Sequence, residues 1–255
     1  MCSGWGTDAM GLRGTLRLMR GAAPPWLLGA SLAGWVLMGA LALQPERLGQ
    51  LVALCSGATV RLDAQGEVLS GHGHGLVLWL AMLLAMQPLL VWPQLALLAR
   101  ANLPRLRAPA QAAFLAGHVL PWLALGLAQV VLTQPLPPAA LTLALLPVLI
   151  WQAAPLRQRW LNACHRKPSL RAFGGAMLAD TARYGLRSGL LCTAICGPVM
   201  LLAMRLPALH LPALHLPAMA ALSLLLLAER NAPARPPAWR LPHPFTRPAP
   251  LPVRI

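Results

Sequence analysis

Apolar residues run through this chain in long blocks, separated by short segments that hold most of the charged residues. A helix needs about 20 mostly apolar residues to cross a hydrocarbon core roughly 30 Å thick. Six blocks approach that length, and we expect each to form a spanning helix: residues 24–43, 76–99, 112–132, 139–156, 186–206 and 215–228. The pattern predicts an all-α fold, a polytopic transmembrane helical bundle of about six spans.

The basic residues between the blocks predict the orientation of the bundle. They cluster at the amino terminus, after the second and fourth blocks and in the tail, which leaves Arg47, Arg61 and Arg205 for the opposite side. Lys and Arg accumulate in the cytoplasmic loops of membrane proteins. We therefore expect both termini in the cytoplasm. The bias toward Arg, Ala, Leu, Pro and Gly is typical of GC-rich bacteria and indicates the bacterial inner membrane as the location.

Three regions follow from this arrangement. Residues 1–23 form a basic cytoplasmic N-terminus, and residues 24–230 form the transmembrane helical domain with an outer loop at about 44–75. Residues 231–255 are rich in Pro and Arg, and because such a composition cannot bury a core we expect a disordered cytoplasmic tail. Residues 169–185 precede the fifth block, and we expect them on the cytoplasmic side or at its interface.

Composition excludes other classes of protein. The chain is 57% hydrophobic and 11% charged, whereas a soluble domain carries roughly 25% charged residues. The net charge of +15 is explained by orientation in a membrane, so we expect a lipid bilayer and no nucleic acid as partner. No phosphate-binding loop, paired carboxylates or nucleophile elbow occurs, and we predict that the protein is not an enzyme.

Sulfur recurs every fourth residue through the fifth block, at Cys192, Cys196, Met200 and Met204. A spacing of four places these side chains along one face of a helix. Thiolates and thioethers are soft ligands that select Cu(I) and related ions. The alternative is ordinary packing, because Cys and Met are common buried hydrophobes.

The second and third blocks hold further candidate ligands. Met82 and Met86 share one face of the second block and lie at about the membrane depth of the sulfur residues in the antiparallel fifth block. His118 of the third block lies at about the depth of Cys192, and an ionisable residue inside a membrane is a functional candidate. A histidine bonded to a neighbouring carbonyl remains the alternative.

The prolines and the remaining histidines carry weaker signals. Pro198 removes a backbone donor and frees the carbonyl of Ala194, which lies between the two cysteines. Freed carbonyls at membrane depth are tolerated where protein or a wet cavity covers them. Four histidines lie in outer segments at spacings that do not define a metal site, and a solvated loop is the favoured interpretation: His72, His74, His210 and His215.

Several motifs in order resemble a known pattern. They are Trp79-x-x-Met82-x-x-x-Met86-x-Pro88, Trp151-Gln152-Ala-Ala-Pro155-Leu156-Arg157, Cys164-His165-Arg166-Lys167-Pro168, Cys192-Thr-Ala-Ile195-Cys196-Gly197-Pro198-Val-Met200 and the closing Glu229-Arg230. Together they resemble a bacterial family of predicted metal-binding integral membrane proteins, a domain of unknown function, over about residues 76–230. Ile195, Gly197 and Gln87 replace a cysteine, a tryptophan and a methionine of that family, so the chain resembles a divergent member. The resemblance implies metal binding.

Three functions remain open. The first is an inner-membrane protein that binds a soft metal, Cu(I), at Cys192, Cys196, Met200, Met82, Met86 and His118, for trafficking or delivery to a metal-donor or metal-acceptor protein. The second is a structural or assembly subunit in which sulfur only packs. The third is a transporter of another small solute. Copper that copurifies with the protein and depends on the cysteines separates the first from the others.

Overall fold

The described part of the chain is helical and contains no strand. The structure is a computed structural model that describes residues 25–43, 73–131, 138–166, 168–171, 173–204 and 212–240. Within these residues lie seven helices: α1 (Pro25–Leu43), α2 (Gly73–Ala101), α3 (Pro104–Val131), α4 (Pro138–Ala153), α5 (Pro155–Cys164), α6 (Gly174–Ala203) and α7 (Pro212–Asn231). The predicted all-α class is confirmed.

Prolines mark where many of these helices begin. Five of the seven described helices start at a proline: α1, α3, α4, α5 and α7. Proline suits the first turn because the backbone N–H groups of that turn have no partner within the helix, so the N–H that proline lacks is not missed. The fourth block, predicted as one element to residue 156, is divided between α4 and α5. Ala154 is extended, with φ −67° and ψ 138°, because the ring of the following Pro155 disfavours helical backbone at that position.

Helix α6 begins earlier than the apolar block that predicted it. It has 30 residues and is about 45 Å long at 1.5 Å per residue, so it takes in most of the stretch expected at the interface. Its first half is polar on one side, but Met177, Thr181, Gly185 and Ser188 are buried. Packing of this face, rather than hydropathy, extends the helix to Gly174.

Helices α3 and α6 pack with their backbones in close contact. A Cβ atom on Gly185 would collide with the carbonyl oxygen of Phe114, and one on Gly189 would collide with the carbonyl oxygen of His118. Small residues at an interface allow this close approach of helices. The contact fixes the position of α6 along α3.

Helix α2 lies at the centre of the packing. Ser31 of α1 donates to the carbonyl of Ala85 at 2.5 Å, and Trp79 Nε1 donates to the carbonyl of Trp122 in α3 at 3.0 Å. The larger core cluster joins residues of α1, α2, α3, α5, α6 and α7 and is rich in sulfur: Met38, Met82, Met86, Cys192, Cys196, Met200, Met204 and Met219.

Three of the described helices are long and apolar enough to cross a membrane. They cover Leu76–Ala101, Pro104–Gln129 and Gly174–Ala203, and shorter apolar helices cover Trp26–Leu41 and Leu143–Ala153. Large apolar side chains point outward from the long helices and from the shorter ones, among them Leu32, Leu143, Leu190 and Leu224. The prediction of six spans with both termini in the cytoplasm goes further than these three helices and stays a prediction.

The first part of the predicted tail lies along α5. Asn162 Nδ2 donates to the carbonyl of Arg235 at 2.7 Å, and the N–H of Arg240 donates to the carbonyl of Ala153 at 3.1 Å. Residues 232–240 therefore follow α5 without forming a helix or a strand. Residues 1–23, the outer loop to residue 72, and residues 241–255 lie outside the described residues, as do His72 and His210.

Candidate metal site

Two buried thiols form the centre of the candidate site. Cys192 and Cys196 are one helical turn apart on α6 and are 2% and 5% exposed. Both belong to the same buried core cluster. Neither cysteine is in a disulfide. Two adjacent thiols, both withdrawn from solvent, are the donor set that a soft monovalent ion requires.

The methionines predicted as ligands lie in the same core cluster as the cysteines. Met200 continues the face of α6 by one turn, while Met82 and Met86 approach from α2, and each of the three is at most 1% exposed. All three belong to the cluster that holds Cys192 and Cys196. The structure thus places the methionines of α2 and the sulfur face of α6 in one core cluster.

His118 is buried next to α2 but is engaged elsewhere. Its Nε2 lies 3.1 Å from Oε1 of Gln87, and its ring stacks on Phe114 at a centroid distance of 5.7 Å. Its Nδ1 has no hydrogen-bond partner within the described part of the chain. No group of three or more His, Cys, Asp or Glu side chains converges on one point among the described residues. The thiol pair and His118 are therefore separate features of the core.

A buried arginine that the sequence analysis named only in the closing Glu229-Arg230 motif, and not as a site residue, contacts the thiol pair. Arg230 of α7 donates through Nη1 to Cys192 Sγ and through Nη2 to Ser188 Oγ, both at 3.3 Å. With its amide oriented so that oxygen faces the guanidinium, Gln94 of α2 also accepts from Nη2, at 2.6 Å. A cation that donates to a thiol favours the thiolate, which is the form that binds metals.

The neighbouring acid does not neutralise Arg230. Glu229 forms a two-point ion pair with Arg157 of α5, at 3.2 Å for Oε1 and 2.5 Å for Oε2. Both side chains are less than one tenth exposed. Glu229 is paired with Arg157, so it does not balance the charge of Arg230. A Cys192 thiolate, which accepts a hydrogen bond from Arg230, would balance that charge. The Glu229-Arg230 pair at the end of an apolar block was the sequence signal for these residues.

The carbonyl freed by Pro198 and the next carbonyl along α6 are covered by α4. Trp151 Nε1 donates to the carbonyl of Ala194 at 3.0 Å, and Gln152 Nε2 reaches the carbonyl of Ile195 at 3.5 Å. Of the two covers that such backbone allows, protein or a wet cavity, the structure shows protein at this turn. The Trp-Gln motif thereby holds the turn of α6 on which the two cysteines stand.

A small cavity adjoins the thiol pair. It has a volume of about 10 Å³ and is lined by three thiols, two charged groups and apolar side chains: Cys164, Cys192, Cys196, Glu229, Arg230, Leu90, Leu161, Ile195 and Leu226. That volume holds about one water-sized sphere. We call it the thiol cavity. Cys164, at the end of α5, is its outermost thiol, and burial raises the pKa of the Cys164 thiol above its ordinary value.

Comparison with known proteins identifies the family. Residues 76–243 match the PpoB2 family, described as copper chaperones. This match covers more than half of the chain. The chain belongs to this family. The PpoB2 match begins in α2 and includes the whole of the site, from Met82 to Arg230, together with the described tail that follows α5. The metal binding predicted from the sequence agrees with a family of copper chaperones. No curated protein and no solved structure matches the chain.

Proposed function

We propose that the protein is a membrane-embedded copper chaperone that holds Cu(I) between Cys192 and Cys196 and delivers it to a copper-handling partner protein. The observation that carries the proposal is a pair of buried, adjacent thiols beside an arginine, inside a sulfur-rich core. The PpoB2 copper chaperone family supports the choice of copper as the ion.

The proposed ligands follow from the chemistry of Cu(I). A soft monovalent ion is satisfied by two thiolates, and thioether sulfur is a further soft donor. Met200, Met82 and Met86 supply thioethers in the same cluster. His118 stays outside the proposed ligand set, because its Nε2 already faces Gln87. We assign it to the packing of α2 on α3.

Charge balance explains why a monovalent ion suits the site. Two thiolates and one Cu(I) carry a net charge of −1, and the guanidinium of Arg230 offsets it. A divalent ion in the same place would leave the buried site with a net positive charge. Uncompensated charge is costly where water is excluded. The site therefore favours Cu(I) over Zn²⁺, which binds the same donors.

We further propose that the chain crosses a bacterial inner membrane six times with both termini in the cytoplasm. The alternation of basic loops supports this orientation. The outward leucines of α1, α4, α6 and α7 support the membrane crossings, since a helix face in lipid carries apolar side chains. In this arrangement the bilayer surrounds the thiol pair and excludes water from it.

The test is the copper content of protein purified without oxygen. We expect about one copper ion per chain, since two thiolates satisfy a single soft ion. The double variant Cys192→Ser/Cys196→Ser should lose this copper and remain folded, because serine keeps a polar hydroxyl of similar size beside Arg230. Elemental analysis gives the stoichiometry, and tryptophan fluorescence in detergent checks the fold.

A matched control removes sulfur elsewhere in the same cluster. Met38 is fully buried in α1 and lies outside the region matched by the family. Met38→Leu should retain the copper of the wild type. Wild-type protein without copper under reducing conditions, or a double variant with undiminished copper, would show that the sulfur only packs.

A further inference from the structure

A second, larger cavity lies next to the thiol cavity. It has a volume of about 360 Å³ and is bordered by residues of α5, α6 and the segment between them. Cys164 lines both cavities. Ser188 lines the larger one and accepts a hydrogen bond from Arg230, which lines the smaller. Cys164 and the Ser188–Arg230 contact therefore connect the linings of the two cavities.

Three arginines border the larger cavity. Arg166, Arg183 and Arg187 line it together with one acid, Asp180. Arg171 neutralises that acid through two hydrogen bonds of 2.7 Å, one to each carboxylate oxygen. Arg166 and Arg187 form no ion pair within the described part of the chain. We call this cavity the arginine-rimmed pocket, and its free positive charge fits an anionic ligand.

We infer that the arginine-rimmed pocket receives a small anionic Cu(I)–thiolate complex, and that Cys164 passes the ion from that complex to Cys192 and Cys196. This inference rests on the proposed function and adds a carrier and a path to it. A volume of about 360 Å³ lies in the range of small-molecule sites, which spans roughly 300–1,000 Å³. It is too small to seat a folded protein partner.

Transfer proceeds by ligand exchange without change of oxidation state. In the pocket, the Cys164 sulfur forms a bond to Cu(I), and one bond between copper and a carrier thiolate breaks. The proton of the Cys164 thiol moves to the departing carrier thiolate, so charge is conserved. In a second exchange, the Cys192 and Cys196 sulfurs form bonds to Cu(I), and the bonds from copper to Cys164 and to the remaining carrier thiolate break. The protons of the Cys192 and Cys196 thiols move to the Cys164 thiolate and to the second departing carrier thiolate. Copper is Cu(I) throughout.

Rapid-mixing kinetics with the Cu(I)–glutathione complex test the role of Cys164. Cys164→Ser should slow loading of the intact protein about tenfold, the lower end of what loss of a supporting group costs at a metal site. Its final copper content should equal that of the wild type. Loading at the wild-type rate would overturn the inference. Loss of the final copper content would show instead that Cys164 is a resident ligand.

A second arm tests the charge of the pocket. Arg166→Gln/Arg187→Gln should slow loading from Cu(I)–glutathione about tenfold at low salt, because electrostatic steering raises association rates by that order or more. Loading from the cationic acetonitrile complex of Cu(I) should not slow. The control Arg105→Gln/Arg159→Gln removes the same charge from two exposed positions outside the pocket and should load at the wild-type rate.

The outcomes separate this inference from the proposed function. Equal slowing with both copper complexes, or equal slowing in the control variant, would overturn the pocket as the anion site while the copper content of the protein stands. Wild-type protein that takes up no copper from either complex would overturn the proposed function itself, and the path through Cys164 with it.

Discussion

At the scale of single residues, Arg230 decides the electrostatics of the site. The residue is 9% exposed and its guanidinium donates to Cys192, while the adjacent Glu229 is held by Arg157. In the sequence this arginine counted toward membrane orientation and the closing motif but not toward the site, because a basic residue at the end of an apolar block usually faces water. Only the packing of α7 on α6 shows that it turns inward.

Neutralising Arg230 should change the metal preference of the protein. In Arg230→Gln, a bis-thiolate Cu(I) site carries a net charge of −1 and a Zn²⁺ site none, so Cu(I) affinity should fall about tenfold to a hundredfold and Zn²⁺ affinity should rise. Anaerobic competition with a chelator for each ion measures both affinities. Arg230→Lys, which keeps the charge, should retain the preference for Cu(I). If the affinities for Cu(I) and Zn²⁺ fell equally in Arg230→Gln, Arg230 would have a structural role alone.

At the scale of elements, hydropathy predicted which segments are helical but not where each helix ends. The apolar blocks correspond to α1, α2, α3, α4 and α7 within a few residues at most ends. The break at Ala154 follows from a local rule for residues before proline. The start of α6 does not follow from any local rule, because Thr181, Gly185 and Ser188 are polar or small residues that gain their burial from α3.

The same distinction applies to the candidate site. The spacing of four predicted that Cys192, Cys196 and Met200 share a face, and the matching depths predicted that α2 would supply Met82 and Met86 to the same cluster. The ion pair between Arg157 and Glu229 joins residues 72 positions apart. The spacing of residues along the sequence does not predict a contact over such a distance. The charged residues of the site could therefore be found only from the structure.

A matched pair of glycine substitutions tests the α3–α6 contact. Gly189→Ala places a methyl group against the carbonyl of His118, whereas Gly175→Ala on the same helix meets open space. Gly189→Ala should destabilise the protein by about 1–3 kcal/mol through overpacking. Gly175→Ala should be neutral or stabilise it by up to about 1 kcal/mol, the difference in helix propensity. Thermal unfolding of copper-free protein in detergent measures both changes, and equal midpoints would contradict the close contact.

At the scale of the whole molecule, the number of membrane crossings controls how copper reaches the site. The three long apolar helices are α2, α3 and α6. Helix α4, with 16 residues, is about 24 Å long and falls short of the roughly 30 Å hydrocarbon core. In the six-span arrangement α1, α4 and α7 cross as well. The segment between α5 and α6, which borders the arginine-rimmed pocket, then faces the cytoplasm.

Labelling of introduced cysteines distinguishes six crossings from three. With six, α4 separates Gln134 from Phe173 and α7 separates Ala208 from Ala234, so cysteines at Gln134 and Ala208 should react with an impermeant thiol reagent in intact cells. Cysteines at Phe173 and Ala234 should react only after lysis. A Cys55→Ser background removes the native thiol expected outside. With crossings by α2, α3 and α6 alone, both members of each pair would fall on the same side of the membrane, so reaction at Gln134 and Phe173 alike would rule out six. The arginine-rimmed pocket would then open toward the outside, and the anionic copper complex it receives would have to come from there.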